Sequence, residues 1–322
     1  MDLRGIRAFV RVAELGSITR ASRDLGIVQP ALSRHIQRIE TELGTQLLIR
    51  LPRGVQLTLE GRRFLQHGRR ILHEVAQATS TLAAENECVG RVTVGLSPTL
   101  APLLAPGIVE RSAASLPGVT LKIFEEFSRR LIGDMLNGQF DIALLTNPPP
   151  LRGLAMLPVM TEPLMVVSGP QPRGIAPELS VDELANTPLL ITEGIRALVE
   201  DQLAAHGATL QVALEIDAIE AIRRMVMGGQ GSSILPVSAV KEDVEAGRIS
   251  GAMVAGVDLC RSLILVTMGE ARNCPAVRAV SGVLLAEIET LSRRGLFLPP
   301  LPQIAAPAAA VVPLRSKVGL AS

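Results

Sequence analysis

Amide, hydroxyl and guanidinium side chains recur on one face of a helix that the sequence predicts from Gln29 to Leu43. The apolar stripe of this helix has spacings of four, three and four residues, at Leu32, Ile36, Ile39 and Leu43. The opposite face carries Gln29, Ser33, Arg34, Gln37 and Arg38. Side chains of these types bind base edges and phosphate oxygens, so the pattern indicates contact with a nucleic acid. The alternative is a solvated helix face.

Two shorter helices precede this helix and must position it. Apolar residues at helical spacing predict the first over residues 3–14. Ser17 is predicted to cap a second helix over residues 18–25. Gly26 forms the break that follows, and Pro30 stands near the first position of the third helix, where a missing N–H has no cost. Together these features predict a helix-turn-helix.

A tight turn at residues 52–54 follows, between strands predicted at residues 47–50 and 55–58. A hairpin beside a helix-turn-helix is a wing, and Arg53 on its turn suits the narrow minor groove of DNA. The charge is distributed accordingly. Residues 1–70 contain 13 Arg, no Lys and 6 acidic residues, a net charge of +7, whereas the rest of the chain has a net charge of −6. The split indicates that the N-terminal block touches a polyanion.

Four segments of this block resemble the winged helix of LysR-type transcriptional regulators. They are residues 9–17 (FVRVAELGS), 29–36 (QPALSRHI), 42–48 (ELGTQLL) and 53–58 (RGVQLT), with Glu60-Gly61 after the last. Val28 departs from the family, which usually has Ser or Thr there, so a helix cap is lost. The resemblance implies sequence-specific binding to double-stranded DNA. The residues expected to contact DNA are Thr19, Gln29, Pro30, Ser33, Arg34, Arg38, Arg50 and Arg53.

A helix without proline is predicted over residues 59–84. Its stripe alternates steps of three and four residues, at Leu65, Gly68, Leu72, Val75, Thr79 and Leu82. Two interpretations stay open, because the stripe could pack on its own domain or form a dimer seam. The resemblance implies a dimerising linker over residues 59–88, which pairs two winged helices (residues 1–58) in a homodimer or homotetramer.

From residue 90 onward, short apolar strands alternate with helices, which predicts an α/β sheet. The predicted strands are residues 91–96, 119–125, 140–145, 164–167, 189–191, 233–236 and 262–267. The predicted helices include residues 100–114, 218–227, 237–245 and 276–291, together with a helix that Ser128 caps and that ends at Leu136. Ser180 is expected to open a further helix with a capping box, and Asp217 is expected to cap the helix at 218–227.

This part resembles the effector-binding domain of the same family, which is like a periplasmic binding protein and holds its effector between two subdomains. The segments that carry the resemblance are residues 126–128, 141–145, 162–164 and 234–236. It implies an effector-binding domain over residues 89–298, with subdomain I at 89–162 and 268–298 and subdomain II at 163–267. Residues 145–149 and 214–217 look like the subset near the nitrogen-assimilation-control regulator.

Polar residues follow several predicted strands, at the strand ends where ligands bind in α/β sheets. Helix N-termini and hydroxyl groups there suit a small organic anion as the effector. The candidates are Ser97, Pro98, Thr99, Ser128, Thr146, Gly194, Ile195 and Ser232. Ser97 and Ser128 are expected to cap helices in either case. The glycine-rich residues 228–231 lack the context of a phosphate loop, which argues against a nucleotide site.

No enzyme activity, metal or cofactor is expected, because the four His and three Cys residues lack catalytic or metal-ligand spacing. Two alternatives stay open: an enzyme on a binding-protein fold, and an effector-independent DNA-binding protein. No apolar run reaches the length of a membrane span, and the sparse cysteines fit a reduced cytoplasmic protein. Residues 299–322, rich in Pro and Ala, are expected to form a disordered tail.

Overall fold

The structure is a computed structural model that describes residues 1–52, 54–83, 88–170, 178–268 and 274–297. The expected tail at 299–322 lies outside these residues. The chain divides into two compact units. Unit 1 comprises Met1–Leu145, Gly153–Ala155 and Leu265–Leu291, and unit 2 comprises Thr146–Arg152, Met156–Ile264 and the described residues from Ser292. None of the described helices is long and apolar enough to cross a membrane.

The N-terminal part consists of helices and one hairpin. Its elements are α1 (Leu3–Leu15), α2 (Ile18–Asp24), α3 (Gln29–Leu43), β1 (Leu48–Leu51), β2 (Gly54–Leu57) and α4 (Leu59–Ala83). β1 and β2 are antiparallel and form the predicted wing. These bounds lie close to the predicted ones, so the winged helix-turn-helix and the long connecting helix are confirmed.

Local hydrogen bonds set the starts of the first three helices. Ser17 caps α2, as predicted, by accepting a hydrogen bond of 3.3 Å from the Arg20 N–H. Asp2 caps α1 in the same way, through the Gly5 N–H at 2.7 Å. Val28, at the N-cap of α3, makes no side-chain cap bond, because its side chain has no hydrogen-bond acceptor.

The winged helix has its own apolar core. Phe9 lies at its centre, fully buried, and contacts Phe64 of α4 edge-on with the ring centroids 5.1 Å apart. The other buried core residues include Leu32, Ile36, Ile39 and Leu47. This burial fixes α3 against α1 and leaves the opposite face of α3 to solvent.

The predicted seam of α4 begins inside this domain. Leu65 and Leu72 pack against the core of the winged helix. Gly68 is buried against α1, where a methyl group would approach the Val10 side chain to 3.1 Å. The first half of the stripe therefore packs on its own domain. The side chains of Thr79 and Leu82 lie outside the described residues.

Unit 1 also contains a parallel sheet. Its elements are β3 (Gly90–Leu96), α5 (Ala101–Ser115), β4 (Val119–Glu125), α6 (Ser128–Leu136) and β5 (Ile142–Thr146). β3 lies between β4 and β5 and is parallel to both, with Leu96 opposite Glu125 on one side and Leu144 on the other. A Cβ at Gly95 would lie 2.5 Å from the Leu131 Cδ2, so a larger residue there would require the Leu131 side chain of α6 to move.

The remaining elements follow in chain order. They are β6 (Leu154–Ser168), α7 (Val181–Ala185), β7 (Leu189–Ile191), α8 (Glu193–Leu203), β8 (Val212–Glu215), α9 (Ile219–Met227), β9 (Ser233–Pro236), α10 (Val237–Glu245), β10 (Ser250–Ala252), β11 (Cys260–Met268) and α11 (Pro275–Arg293). The predicted α/β class is confirmed, and β6 extends far beyond the short strand predicted at 164–167.

β6 and β11 each begin in one unit and end in the other, so they carry the chain between the units. Within unit 2, β6 lies between β9 and β10 and is antiparallel to both, while β7 and β8 pair in parallel. The capping box predicted at Ser180 is present, with both of its bonds to Glu183. These elements enclose an apolar core of unit 2 that includes Leu189, Ile191, Val199 and Ile234.

Candidate functional site

The polar face of α3 is open to solvent at its N-terminal end. Gln29, Pro30 and Arg34 are exposed, and Ser33 is half-buried. The Thr19 hydroxyl lies 3.5 Å from the Gln29 amide oxygen, at the limit of a hydrogen bond, so α2 approaches the side chain that begins α3. The structure therefore brings these five predicted residues together on one surface.

The arginines of the winged helix and of α4 fall into two groups, those paired with a carboxylate and those available to a phosphate. Arg11 binds Asp24 through two hydrogen bonds of 2.5 and 2.6 Å and holds the pKa of this carboxyl below its usual value. Arg69 lies 3.3 Å from Glu14. By contrast, Arg34 is exposed, and within the described part of the chain it pairs with no carboxylate; its Nε lies 3.4 Å from a carbonyl one turn earlier. Arg34 is therefore available to a phosphate.

Two further predicted cations differ in their partners. Arg38 donates to Glu42 at 3.1 Å, and the α-amino group of Met1 together with Arg38 lowers the pKa of Glu42. The Arg38 side chain is 67% exposed, and such pairs contribute little, so its guanidinium can exchange Glu42 for a phosphate. Arg50 is exposed on β1. Arg53 lies outside the described residues.

The wing is held to the helices by two contacts that the spacing of residues did not predict. Glu40 of α3 accepts hydrogen bonds from the N–H groups of Leu47 and Leu48, at 2.8 and 3.1 Å. At the other strand, Gly54 has a φ of +126°, and a Cβ there would lie 2.5 Å from the Gly16 carbonyl oxygen. Glycine is required at this position, and the wing is fixed relative to α3.

The first group of predicted ligand residues lies at the carboxyl end of β3. Ser97 and Thr99 are buried, their hydroxyl oxygens are 3.3 Å apart, and Pro98 between them is half-buried. The prediction that Ser97 caps α5 is wrong, because a turn intervenes and the N-cap position is Leu100, which has no side-chain bond. The Ser97 hydroxyl faces Thr99 instead of the helix.

Ser128 follows β4, which is the neighbour of β3 in the sheet. It is the first residue of α6 rather than its cap, so its predicted capping role is wrong; Phe127 holds the cap position and makes no side-chain bond. Glu126 stands beside this helix end, accepts a hydrogen bond of 3.0 Å from the Phe127 N–H and lies 3.4 Å from Arg130. A carboxylate therefore already occupies part of the space near the α6 N-terminus.

Gly194 and Ile195 lie in the first turn of α8, as predicted, although the helix begins one residue earlier. Gly194 is exposed and Ile195 is buried. Thr192 caps the helix through the Ile195 N–H at 3.3 Å, and Asp217 accepts a hydrogen bond of 3.2 Å from the Glu193 N–H. The prediction that Asp217 caps α9 is wrong, because its carboxylate is directed to α8.

The structure does not bring Ser232 to Gly194. Ser232 lies beside the start of β7, opposite Leu189, and its carbonyl accepts a hydrogen bond of 2.8 Å from the Leu190 N–H. Gly194 follows the other end of β7. Ser232 and Gly194 are therefore separated by the length of this strand.

β5 ends at Thr146, which is half-buried, and the next residue was not predicted as a site residue. Asn147 has a φ of +42°, the one positive value at a non-glycine residue in the described ranges. Its side-chain oxygen accepts from the Ser262 N–H at 2.8 Å, and its own N–H donates to the Ser262 carbonyl at 2.9 Å. Asparagine tolerates this conformation, and its side chain locks the end of β5 to β11.

A buried ion pair lies where β6 and β11 run side by side in unit 2. Glu162 is 0% exposed and Arg261 is 3% exposed. The Arg261 guanidinium donates to one Glu162 oxygen at 2.8 Å, and the Ser238 N–H at the start of α10 donates to the other at 3.0 Å. The sequence placed Glu162 at the boundary between the two expected subdomains and did not predict this ion pair.

Metal and thiol chemistry gain no support from the described ranges, which contain no group of three His, Cys, Asp or Glu side chains placed to hold a metal ion. Cys88, Cys260 and Cys274 form no disulfide in the described part of the chain. Burial raises the pKa of the Cys88 and Cys260 thiols, which disfavours the reactive thiolate.

Comparison with known protein families gives two matches that divide the chain. The profile of the bacterial regulatory helix-turn-helix protein, lysR family, matches residues 3–62, and that of the LysR substrate binding domain matches residues 86–289.

Individual relatives match over nearly the full chain. The HTH-type transcriptional regulator BbuR of Bordetella bronchiseptica is 30% identical over 301 residues, 92% of each chain. The nitrogen assimilation regulatory protein nac of Klebsiella aerogenes is 29% identical, over 92% of this chain and 99% of its own, which confirms the similarity seen in the sequence. A solved structure of a full-length OxyR variant from Pseudomonas aeruginosa is 25% identical with a TM-score of 0.73, over 94% of this chain and 98% of its own.

Proposed function

Because the chain belongs to the LysR family of bacterial transcriptional regulators, with a DNA-binding helix-turn-helix and an effector-binding domain, we propose which of its residues perform each task. α3 enters the major groove of double-stranded DNA with the amide of Gln29 at a base edge. The full set of proposed DNA contacts is Thr19, Gln29, Pro30, Ser33, Arg34, Arg38, Arg50 and Arg53. The exposed, uncommitted polar surface at the start of α3 is the observation that supports this assignment.

Arg34→Ala is expected to weaken DNA binding and to reduce the slope of log affinity against log salt by about one, because one phosphate contact is lost. Arg69→Ala is the matched control, since its guanidinium is paired with Glu14, and its slope should equal that of the wild type. The measurement is fluorescence anisotropy of labelled DNA over a salt series. An unchanged slope in Arg34→Ala would remove this residue from the phosphate contacts.

The effector-binding domain is proposed to span residues 89–298 and to bind a small organic anion. The proposed subdomains are 89–162 with 268–298, and 163–267. The buried hydroxyl pair of Ser97 and Thr99 at the carboxyl end of β3 supports the site most strongly, because strand ends of this kind bind ligands. The proposed contacts are Ser97, Pro98, Thr99, Ser128, Thr146, Gly194 and Ile195; Ser232, the remaining expected residue, is left out because β7 separates it from Gly194.

Ser97→Ala and Thr99→Val are each expected to weaken effector binding about fivefold to tenfold, the loss of one hydrogen bond. Titration calorimetry of the full chain with small mono- and dicarboxylates measures this effect. Ser115→Ala is the control, because the Ser115 hydroxyl is exposed and, within the described residues, donates to the Arg111 carbonyl of its own helix. Wild-type binding by both variants would place the pocket elsewhere, and binding of only neutral or cationic metabolites would contradict an anionic effector.

We further propose that the chain acts by binding rather than by catalysis. We also propose that it is a homodimer or homotetramer and that it acts in the cytoplasm, where its DNA target lies. The regulator names of its relatives support the first point. The linker over residues 59–88 is the proposed dimer element, with the contact beginning after Leu72, since the stripe up to Leu72 packs on its own winged helix. The symmetry of the DNA site that the chain selects is the test of this pairing.

A further inference from the structure

The middle of α4, at Arg70 and His73, lies directly on a turn of the effector-binding domain. The turn joins α6 to β5 and has Gly138 at its apex, buried and with a φ of +67°. A Cβ at Gly138 would lie 3.4 Å from the Arg70 Cα and 3.7 Å from the His73 Cβ. The turn therefore packs closely on α4 within unit 1, against the Cα and Cγ of Arg70 and the Cβ of His73.

A polar contact between His73 and Asp141 lies beside this packing. His73 Nε2 is 3.4 Å from one carboxylate oxygen of Asp141, and the two side chains are only 14% and 5% exposed. At this distance the contact is electrostatic rather than an aligned hydrogen bond. The other Asp141 oxygen accepts a hydrogen bond of 2.8 Å from the Thr93 N–H, and the Asp141 N–H donates to the Thr93 carbonyl at 3.0 Å. One side chain thus holds both β3 and α4.

The two elements that this contact joins, β3 and α4, each continue to a site described above. β3 continues from Thr93 to Leu96 and then into the Ser97–Thr99 turn of the proposed effector site. α4 continues back from His73 to Gly68, which packs on α1 of the winged helix. All of these residues belong to unit 1. A movement of β3 must therefore either move α4 with it or break the contact at Asp141.

We propose that Asp141 and His73 form a joint through which the effector-binding domain sets the position of the winged helix on the same chain. Its regulatory meaning rests on the proposed function, whereas its existence does not. The competing interpretation is static packing with no energetic link between the two residues, and a contiguous chain of contacts does not by itself distinguish the two. A measured coupling does.

The first test is hydrogen exchange of the full chain without DNA. His73→Ala is expected to speed exchange about threefold to tenfold in the second half of α4 and in residues 134–141, the loss of one half-buried polar contact. His67→Ala is the matched control, an exposed histidine on the same helix, and should exchange like the wild type. Wild-type exchange in His73→Ala would overturn the joint.

The second test is a double-mutant cycle on DNA affinity. Asp141→Asn removes the charge and keeps an acceptor for Thr93, which protects the fold. Asp141→Asn and His73→Ala should each change the affinity for DNA about threefold to tenfold, and the double variant no more than either alone. Additive changes would overturn the coupling. A wild-type chain that bound no DNA would contradict the proposed function, and the exchange experiment would still decide on the joint.

Discussion

Glu162→Ala is expected to lower the free energy of unfolding by about 3–5 kcal/mol, because it leaves the Arg261 guanidinium buried without its counter-charge. Arg261 is only 3% exposed, so water cannot replace the lost carboxylate. The Ser238 N–H, in the first turn of α10, loses its acceptor in the same substitution. β6 and β11 carry the chain between the two units, and the pair fixes these strands to each other in unit 2.

Urea unfolding of the full chain, followed by circular dichroism because the protein has no Trp or Tyr, measures this loss. Glu220→Ala is the control for an exposed pair with Arg224 and should change stability by about 0–1 kcal/mol. Replacing both partners, as Glu162→Leu with Arg261→Met, should restore most of the stability, because no uncompensated charge remains. Equal effects of Glu162→Ala and Glu220→Ala would show that the buried pair does not hold the strands.

Gln29→Ala is expected to reduce discrimination between a specific site and random DNA by about 1–3 kcal/mol, the contribution of one bidentate base contact. Gln29 is exposed at the first position of α3, and its amide can both donate to and accept from an adenine edge. Competition binding at a fixed salt concentration measures the ratio of the two affinities. Gln66→Ala, an exposed amide on α4, is the control. Equal loss of affinity for both DNAs would show that Gln29 reads no base.

Short-range patterns in the sequence predicted most helices and strands of this fold, and the helix caps that they predicted wrongly also have a local cause. Ser17 and Ser180 cap helices as predicted, because each directly precedes its helix and has an extended backbone. Ser97 does not, because the Leu100 N–H bonds the Ser97 carbonyl and a turn delays the helix. The prediction for Ser128 is wrong by one residue, because Ser128 is already the first residue of α6. Residue type identifies a cap only when the backbone places it at the helix boundary.

The remaining differences come from contacts between distant residues. Pro158 and Pro163 interrupt the apolar run in sequence, yet β6 continues through both. Beyond Pro163 it pairs with β9 and β10, which follow much later in the chain. Glu162 and Arg261 are 99 positions apart. The DNA-facing residues of α3 were predictable because they share one helix. The effector residues come from several elements, and the structure separates Ser232 from Gly194 along β7.

Selection of DNA by the full chain from a random-sequence pool, at about 0.15 M salt, tests most directly the claim that two paired winged helices read DNA sequence through α3. The expected result is one enriched family of sites with an inverted repeat, whose half-sites lie about one helical turn, or a multiple of it, apart. A pool without an enriched sequence would contradict sequence reading by α3. Enrichment of a single, unsymmetrical half-site would contradict the pairing of two winged helices.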